Sequence, residues 1–581
     1  MSQPLSPVER IKAESHYLRG SIPEELAQST DAFSKDAVQL LKHHGIYQQD
    51  DRDARKAARA AGKPGKHYIM MVRTAIPGGI MTADQLLAEI ELGDLLGNGT
   101  IRLTTRQSIQ HHGIPKGDLR ELIARIHQAR LSTLAACGDV VRNVMCCPAP
   151  FKSPIYAEVQ QLGQQIARHF LPRTKAYCEI WLQDAESGEK TLVGSVGKTD
   201  VGDDRPDDGS HAHAEIEPIY GSSYLPRKFK IGIGFCHDNC IDVYTHDVGL
   251  IAVLRDEELI GYNVLVGGGM GVTPSNKATF PALAKRMAFV EPDRVIETVE
   301  AVVKVQRDHG NRADRKTARL KYLIHRWGMV KFRGVVEERL GRRLPVPVDD
   351  DVFGFDDHLG WHEDGGGRWF YGLNIENGRI ADTESEQLKS ALHAICRDVA
   401  PGVRLTAHQS ILLTDIDDAG KRQVEEILRR HGVRTSESIS TVRRWSMACV
   451  AWPTCGLAIT ESERALPGVI DQLETVLAEL GLDQEIFTVR MTGCPNGCAR
   501  PYNADIALVG KARDRYTVFV GGQRLGKRLN FILADLVPRD RIVPLLKPLF
   551  EHFKANREAD ESFGDYCHRL GYDRLAEIAQ T

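Results

Sequence analysis

The sequence predicts an α+β protein made of two related halves. Three observations predict it. The first is duplication: Ile101–Ile109 (IRLTTRQSI) returns as Val403–Ile411 (VRLTAHQSI), and Phe235–Cys240 (FCHDNC) with His246–Val253 returns as Gly493–Cys498 (GCPNGC) with Ala504–Gly510. Tyr262–Gly271 (YNVLVGGGMG) likewise returns as Tyr516–Gly526 (YTVFVGGQRLG). Three matches in one order argue for a repeat rather than chance. The second is alternation of β-branched residues in both halves, with strand pairs that end in glycine. The third is helical periodicity, which predicts helices over Thr82–Leu95 and Glu384–Val399. The mixture predicts some strands buried between layers.

At 581 residues the chain exceeds one core. Dividing by ~150 residues per domain suggests roughly four units. Mean hydropathy is −0.29, and Lys+Arg 75 against Asp+Glu 78 leaves no basic excess to favour nucleic acid. Anion sites must then be local clusters. MSQPLSPVERIK lacks an apolar h-region, and no apolar run is long enough to span a bilayer, so a cytoplasmic address is expected. That compartment keeps thiols reduced. The twelve cysteines read as buried thiols, metal ligands or catalytic groups rather than a disulfide frame.

Three polar stretches punctuate the chain. Gln49–Lys66 reads as a charged connector after an N-terminal extension, Thr199–Glu215 as an acidic loop, and Leu344–Gly366 as the joint between halves. His211 and His213 sit in the acidic loop, where solvation outweighs metal binding because no thiol or carboxylate has ligand spacing.

The repeat offers two cysteine quartets. The first is Cys146, Cys147, Cys236 and Cys240; the second is Cys449, Cys455, Cys494 and Cys498. Adjacent Cys146 and Cys147 point apart on an extended chain and chelate one centre poorly. The second set spaces each pair by a loop, as an iron–sulfur cluster requires. Pro495 and Gly497 shape a tight turn whose N–H groups can face sulfur. Four thiolates also suit zinc, so spacing alone leaves both open. Cys236 and Cys240 read as the counterpart without a cluster, and Cys137, Cys178, Cys396 and Cys567 as ordinary buried thiols.

Basic residues gather around Arg73, around Arg102 and Arg106, at Arg142, and at Arg227, Lys228 and Lys230. In a strand, Lys228 and Lys230 share a face, and two ammoniums there repel unless an anion lies between them. Singly, each cluster reads as a solvated face; together they suggest a polyanionic cofactor and a small oxyanion. Two nucleotide motifs fail. Gly267–Val272 lacks the last glycine of a dinucleotide fingerprint, and Gly521–Arg528 has Arg528 where a P-loop needs Ser or Thr. Without such a site, electrons for redox chemistry should come from another protein.

Taken with Ser15–Gly20 (SHYLRG), Tyr47–Asp53 (YQQDDRD), Leu171–Tyr177 (LPRTKAY), Tyr224–Lys230 (YLPRKFK), Val266–Gly269 (VGGG) and Asn311–Lys316 (NRADRK), the quartet resembles the sirohaem- and [4Fe-4S]-containing sulfite and nitrite reductase family nearly end to end. Within it the likeness is greatest to haemoprotein (beta) subunits of assimilatory NADPH-sulfite reductases. The resemblance selects cluster over zinc. It implies two ferredoxin-like half domains and two larger mixed cofactor domains related by a pseudo-twofold axis. The implied segmentation is an extension and linker over 1–62, half domain 63–135, sirohaem-binding domain 136–343, linker and half domain 344–435, and cluster domain 436–581. It implies that Cys449, Cys455, Cys494 and Cys498 hold the cluster and that Cys498 is also the axial ligand of sirohaem. Arg73, Arg142, Lys228 and Lys230 would surround sulfite. Arg102, Arg106, Arg227, Arg319, Gln409 and Asn496 would contact sirohaem.

Three positions depart from the family: Arg319 stands where Lys is usual, Ala75 where a basic residue is usual, and Gly456 where Pro is usual. The implied activity is six-electron reduction of sulfite to sulfide, fed by an NADPH-dependent flavoprotein partner. Segments such as LGWHEDGGGRWF look more like ferredoxin-dependent enzymes, which keeps ferredoxin as an alternative donor. A sirohaem nitrite reductase is a rival that Lys230 argues against, since Asn is typical there. A zinc- or cluster-stabilised binding protein is the non-enzymatic rival.

Overall fold

The computed structural model describes residues 4–63, 65–174, 179–183, 190–195 and 217–580. Cys178, the stretch Thr199–Glu215 and the pair His211/His213 lie outside the described residues.

Four five-stranded sheets carry the fold. The first runs Ile46–Asp50, Tyr68–Thr74, Ile109–Ile114, Ile101–Leu103, Arg379–Ile380. Its counterpart runs Gly360–Glu363, Trp369–Leu373, Ile411–Ile416, Gly402–Leu405, Ile80–Thr82. Each sheet is completed by a strand of the other half. Arg379 pairs with Arg102, and Met81 pairs with Val403. The two ferredoxin-like half domains therefore share one core, in which Leu86 and Ile90 join Leu392 and Ile395.

The helix Ala83–Leu95 forms as expected. Thr82 caps it, with Gln85 completing a reciprocal capping box. Its counterpart is shorter than predicted: Leu388–Asp398. Asp382 and Gln387 form an isolated bridge, and that pairing takes Glu384–Gln387 out of the helix.

The larger domains hold the other two sheets. One is ordered Lys285–Val290, Glu258–Val266, Val248–Arg255, Ile231–Phe235, Met145–Cys146. The other is ordered Phe531–Pro538, Arg515–Val520, Ile506–Ala512, Val489–Thr492, Ser446–Ala448. In both, the two central strands are parallel, with Ile231 opposite Val248 and Val489 opposite Ile506. The repeat is thus conserved down to register. Each sheet packs on its own helices, Val295–His309 in one domain and Ile542–Asn556 in the other.

The stretch Gln49–Lys66 differs from expectation. It contains the end of a strand and the helix Arg52–Ala60, whose N-cap Asp51 accepts from the N–H groups of Asp53 and Ala54. A sequence with little apolar content still forms this helix because its cap is satisfied and its neighbours anchor it. The strand Ile46–Asp50 lies inside the segment read as an extension, yet it is an integral edge of the first sheet.

Candidate functional site

The second quartet is gathered by two loops. Cys449 follows the strand Ser446–Ala448, and Cys494 follows Val489–Thr492, its parallel neighbour. Parallel pairing brings both strand ends to one edge, as ligand-bearing loops in such sheets require. The carbonyl of Gly493 accepts from the N–H groups of Ile459 and Thr460, at 2.8 and 3.2 Å, tying the loops together. A Cβ at Gly493 would lie 2.5 Å from that of Ala451, so only glycine permits the approach. Gly497, at φ 65°, turns the chain against Met270 of the first half.

Each of Cys449, Cys455 and Cys494 is within electrostatic reach of the Cys498 sulfur. Burial first, then these neighbours, push the Cys494 thiol up to about 11 and Cys449 higher. Protonated thiols are therefore favoured until a cation or cluster takes the charge. Donors already face the sulfurs: the Gly493 N–H reaches Cys449 Sγ at 3.3 Å, and Asn496 Nδ2 reaches Cys494 Sγ at 3.3 Å. Cys498 is exposed, and its carbonyl accepts from Thr105 Oγ1 at 2.9 Å.

Above Cys498 lies the basic group. Lys228 and Lys230 flank Phe229, which bridges in parallel to Val141, just before the strand Ile231–Phe235 begins. The extended backbone sets both side chains on one face. Burial, then Arg227, Arg142 and Arg319, lower the Lys228 ammonium to about 7, while Cys498 opposes the shift. Burial, then Arg106, Lys228 and Arg319, hold Lys230 well below the usual lysine range, with Cys498 again opposing. Arg106 contacts His246 Nδ1 at 2.7 Å, and burial followed by Arg142 brings it to about 9. Arg142 donates to Gly138 O at 3.2 Å and approaches the Tyr47 hydroxyl at 3.5 Å. Arg73 donates to Cys137 Sγ at 3.0 Å, which makes Cys137 a partner of the basic group rather than an inert thiol.

Arg319 is committed to Asp247, whose other bonds include the Lys230 N–H at 2.9 Å. Among the described residues, no carboxylate pairs with the side chains of Arg73, Arg106, Arg142, Lys228 or Lys230. So many half-buried cations without a bonded carboxylate fit a polyanionic cofactor and an oxyanion.

The other expected contacts divide. Asn496 lies in the cysteine turn. Arg227 is a third exposed and lies 3.9 Å from Asp139. Arg102 is bonded to Glu463 at 2.8 Å and to Ala448 O at 2.8 Å. Gln409, at φ 66°, gives its amide to Asn377 O at 3.1 Å, leaving its buried Oε1 without a partner. Ala75 pairs with Ser132 as backbone, and the Gly456 position is open.

Sequence reasoning missed Arg500 and Arg52. Arg500 bonds Thr105 O and Ala407 O, both at 3.0 Å, and these are the same position in the two repeats. Arg52 donates to Pro453 O at 3.0 Å, Ala458 O at 2.9 Å and the Cys455 carbonyl. The Y-Q-Q-D-D-R-D motif flagged the region of Arg52, but nothing in it pointed to a loop some 400 residues away.

In the first quartet adjacent Cys146 and Cys147 point apart as expected, and of the four only Cys147 and Cys240 stay together. Cys146 Sγ turns to Gly78 O, and Cys147 Sγ to Asp238. Cys236 Sγ faces Ala252 O at 3.5 Å.

Family comparison agrees with this layout. A model described as the nitrite and sulphite reductase 4Fe-4S domain matches residues 190–344 and 441–581. One described as the nitrite/sulfite reductase ferredoxin-like half domain matches 62–129 and 362–431. The sulfite reductase (NADPH) hemoprotein beta-component of Staphylococcus saprophyticus is 43% identical over 100% of this chain and 98% of its own. The sulfite reductase (ferredoxin) of Synechococcus elongatus is 44% identical over 100% of this chain and 92% of its own. The Mycobacterium tuberculosis NirA structure has the same fold, with TM-score 0.77 and 24% identity over 99% of this chain and 98% of that one.

Proposed function

The chain belongs to the nitrite and sulfite reductase family, and from that premise we propose that it is the haemoprotein of an assimilatory sulfite reductase, forming sulfide for cysteine biosynthesis in the cytoplasm. The observation that carries the reading is the gathering of Arg73, Arg106, Arg142, Lys228 and Lys230 without a bonded carboxylate, in a group whose lysines feel the Cys498 sulfur. The four thiols of Cys449, Cys455, Cys494 and Cys498 would hold the [4Fe-4S] cluster, and Cys498 would also help to hold the sirohaem. Arg102, Arg106, Arg227, Arg319, Gln409 and Asn496 would meet the macrocycle or its carboxylates.

When bound, the coupled cofactors supply electrons singly to sulfur. The chain's own part is electrostatic. Lys228, Lys230, Arg142 and Arg73 hold a dianion that bulk water would otherwise solvate. As each S–O bond breaks, the departing oxygen needs protons. An ammonium near neutrality is suited to give one and to be refilled, which fits Lys228 at about 7. The arginines keep their charge throughout and hold the remaining oxygens.

Electrons would come from an NADPH-dependent flavoprotein, by likeness to the beta-component relatives. Ferredoxin is the second reading, favoured by the equal likeness to a ferredoxin enzyme. The test is the purified holoprotein with sulfite. Visible absorption of a sirohaem and sulfide formation with reduced methyl viologen are expected, with no NADPH oxidation by the chain alone. A colourless, inactive protein carrying only zinc would overturn the reading.

A further inference from the structure

The first large domain contains a second ligand set. Cys147, Asp238, Cys240 and His358 place one ligand atom each within 4.8 Å of all the others, and all four residues are buried. Cys147 Sγ is 2.8 Å from Asp238 Oδ2 and 3.6 Å from His358 Nε2, and His358 Nε2 is 3.0 Å from Asp238 Oδ2. Ligands about 2.0–2.3 Å from one tetrahedral zinc ion lie roughly 3–4 Å from each other. Three of the six separations are 2.8, 3.0 and 3.6 Å, and all six are within 4.8 Å, so small shifts would admit the ion.

The surroundings aim them. The Cys240 N–H donates to Asp238 Oδ1 at 3.0 Å, which turns Oδ2 to the centre. His358 Nδ1, on the side away from the centre, is buried without a hydrogen-bond partner, and Asp356 lies 3.9 Å from it. Two thiolates, one carboxylate and a neutral imidazole are a donor set that zinc prefers.

The location is informative. In the repeat, Cys236 aligns with Cys494 and Cys240 with Cys498. The ladders extend the match: Cys146 stands opposite Ile233, and Ala448 opposite Met491. Cys147 is therefore the counterpart of Cys449, and Asp238 of Asn496. Three of the four cluster positions keep cysteine in the first half, and two of these, Cys147 and Cys240, belong to this set. His358 is supplied from elsewhere, by the joint between halves.

We propose that Cys147, Asp238, Cys240 and His358 bind one structural zinc ion at the pseudo-symmetric counterpart of the cluster site. The ion would fasten the joint at His358 to the first large domain. Binding exchanges thiol and imidazolium protons for the metal, with no change in oxidation state.

The experiment uses the full-length holoprotein, loaded with zinc chloride and dialysed. Metal analysis should give about one zinc per chain beside the cluster and sirohaem iron. Cys240→Ser and His358→Ala should each lose that zinc at least tenfold while iron and the visible spectrum persist. Zinc K-edge absorption of the wild type needs no variant. It should show two sulfur neighbours near about 2.3 Å and two nitrogen or oxygen neighbours near about 2.0–2.1 Å. Zinc below about a tenth per chain, zinc kept by both variants, or four sulfur neighbours would each overturn the site. The last result would place zinc in the other quartet. A Cys147–Cys240 disulfide in place of metal would overturn it too. Four sulfur neighbours would count against the cluster assignment as well; the other outcomes do not bear on sulfite turnover, so this site and the proposed function fail separately.

Discussion

Asp242 and Arg500 occupy the same position in the two repeats and form a buried ion pair with each other. Both have left-handed backbones, at φ 53° and 51°. Arg490 adds a second guanidinium at 2.8 Å from the same Asp242 oxygen, and Asn503 bonds the other at 3.1 Å. The junction of the halves is thus a charged knot two residues from Cys498.

Asp242→Asn should leave Arg490 and Arg500 buried with their charge uncompensated. Breaking such a pair from one side costs about 3–5 kcal/mol. Thermal unfolding of the variant should shift down by several degrees, with weaker cofactor retention. In the wild type, burial raises the Asp242 carboxyl but the two arginines lower it further, so it stays far below its ordinary value. Its stabilisation is therefore complete above the unfolded value of ~3.9 and is lost as pH falls below it. Asp242→Asn should flatten that part of the acid-stability curve; an unchanged curve and melting point would contradict the role.

Arg52 clamps the Cys455 loop through three carbonyls, and its guanidinium lies 4.0 Å from the Trp452 ring centroid. Replacing it with Ala forfeits hydrogen bonds to a charged donor, each contributing about 1.5–3 kcal/mol. Iron release to a chelator should accelerate about tenfold or more, with the fold intact by circular dichroism. Release at the wild-type rate would show that the clamp is dispensable.

How legible was this in the sequence? The repeat was, because a duplicated fold keeps its register and its turn residues. Gln107 and Gln409, for instance, both sit at positive φ in matching loops. The cysteine quartet was legible because loop spacing reports a metal-type centre. The exchange of Ile80–Thr82 and Arg379–Ile380 was not: strands of two or three residues have no periodicity to read, and their pairing is decided by distant partners. The Arg52 helix was hidden by its charge, since its hold on the chain is a cap and long-range contacts. His358 was hidden for a similar reason: only the folded joint brings it to Cys147 and Cys240.

Cys498→Ser should remove both cofactors, because one sulfur would serve the cluster and the macrocycle. The purified variant should lose cluster iron and the normal haem spectrum together. Cys236→Ser should change neither iron nor zinc, because Cys236 Sγ faces Ala252 O. Iron lost from the Cys236 variant would mean that the wrong quartet had been assigned.

The Lys228 ammonium, lowered to about 7 chiefly by burial, predicts pH-dependent sulfite binding in the holoprotein. Below that pH the charge is present; above it the charge is lost and affinity should fall. Lys228→Arg keeps its charge across the range. The ratio of wild-type to variant affinity cancels the titration of sulfite itself. It should decline as pH rises through about 7 to 9, and a flat ratio would remove Lys228 from anion binding.

Lys230→Met tests the central claim most directly. It keeps most of the stem's packing, so folding, iron content and the visible spectrum should survive. A bound dianion favours the charged form of Lys230 against burial, so the variant loses one charge-assisted hydrogen bond, about 1.5–3 kcal/mol, and sulfite affinity should fall about tenfold or more. Nitrite carries one charge rather than two and should suffer less. The measurement is the ratio of sulfite to nitrite turnover with reduced methyl viologen, in wild type and variant. A ratio that falls severalfold at full cofactor loading is the predicted result. An unchanged ratio would contradict an oxyanion site built on Lys228 and Lys230 above Cys498.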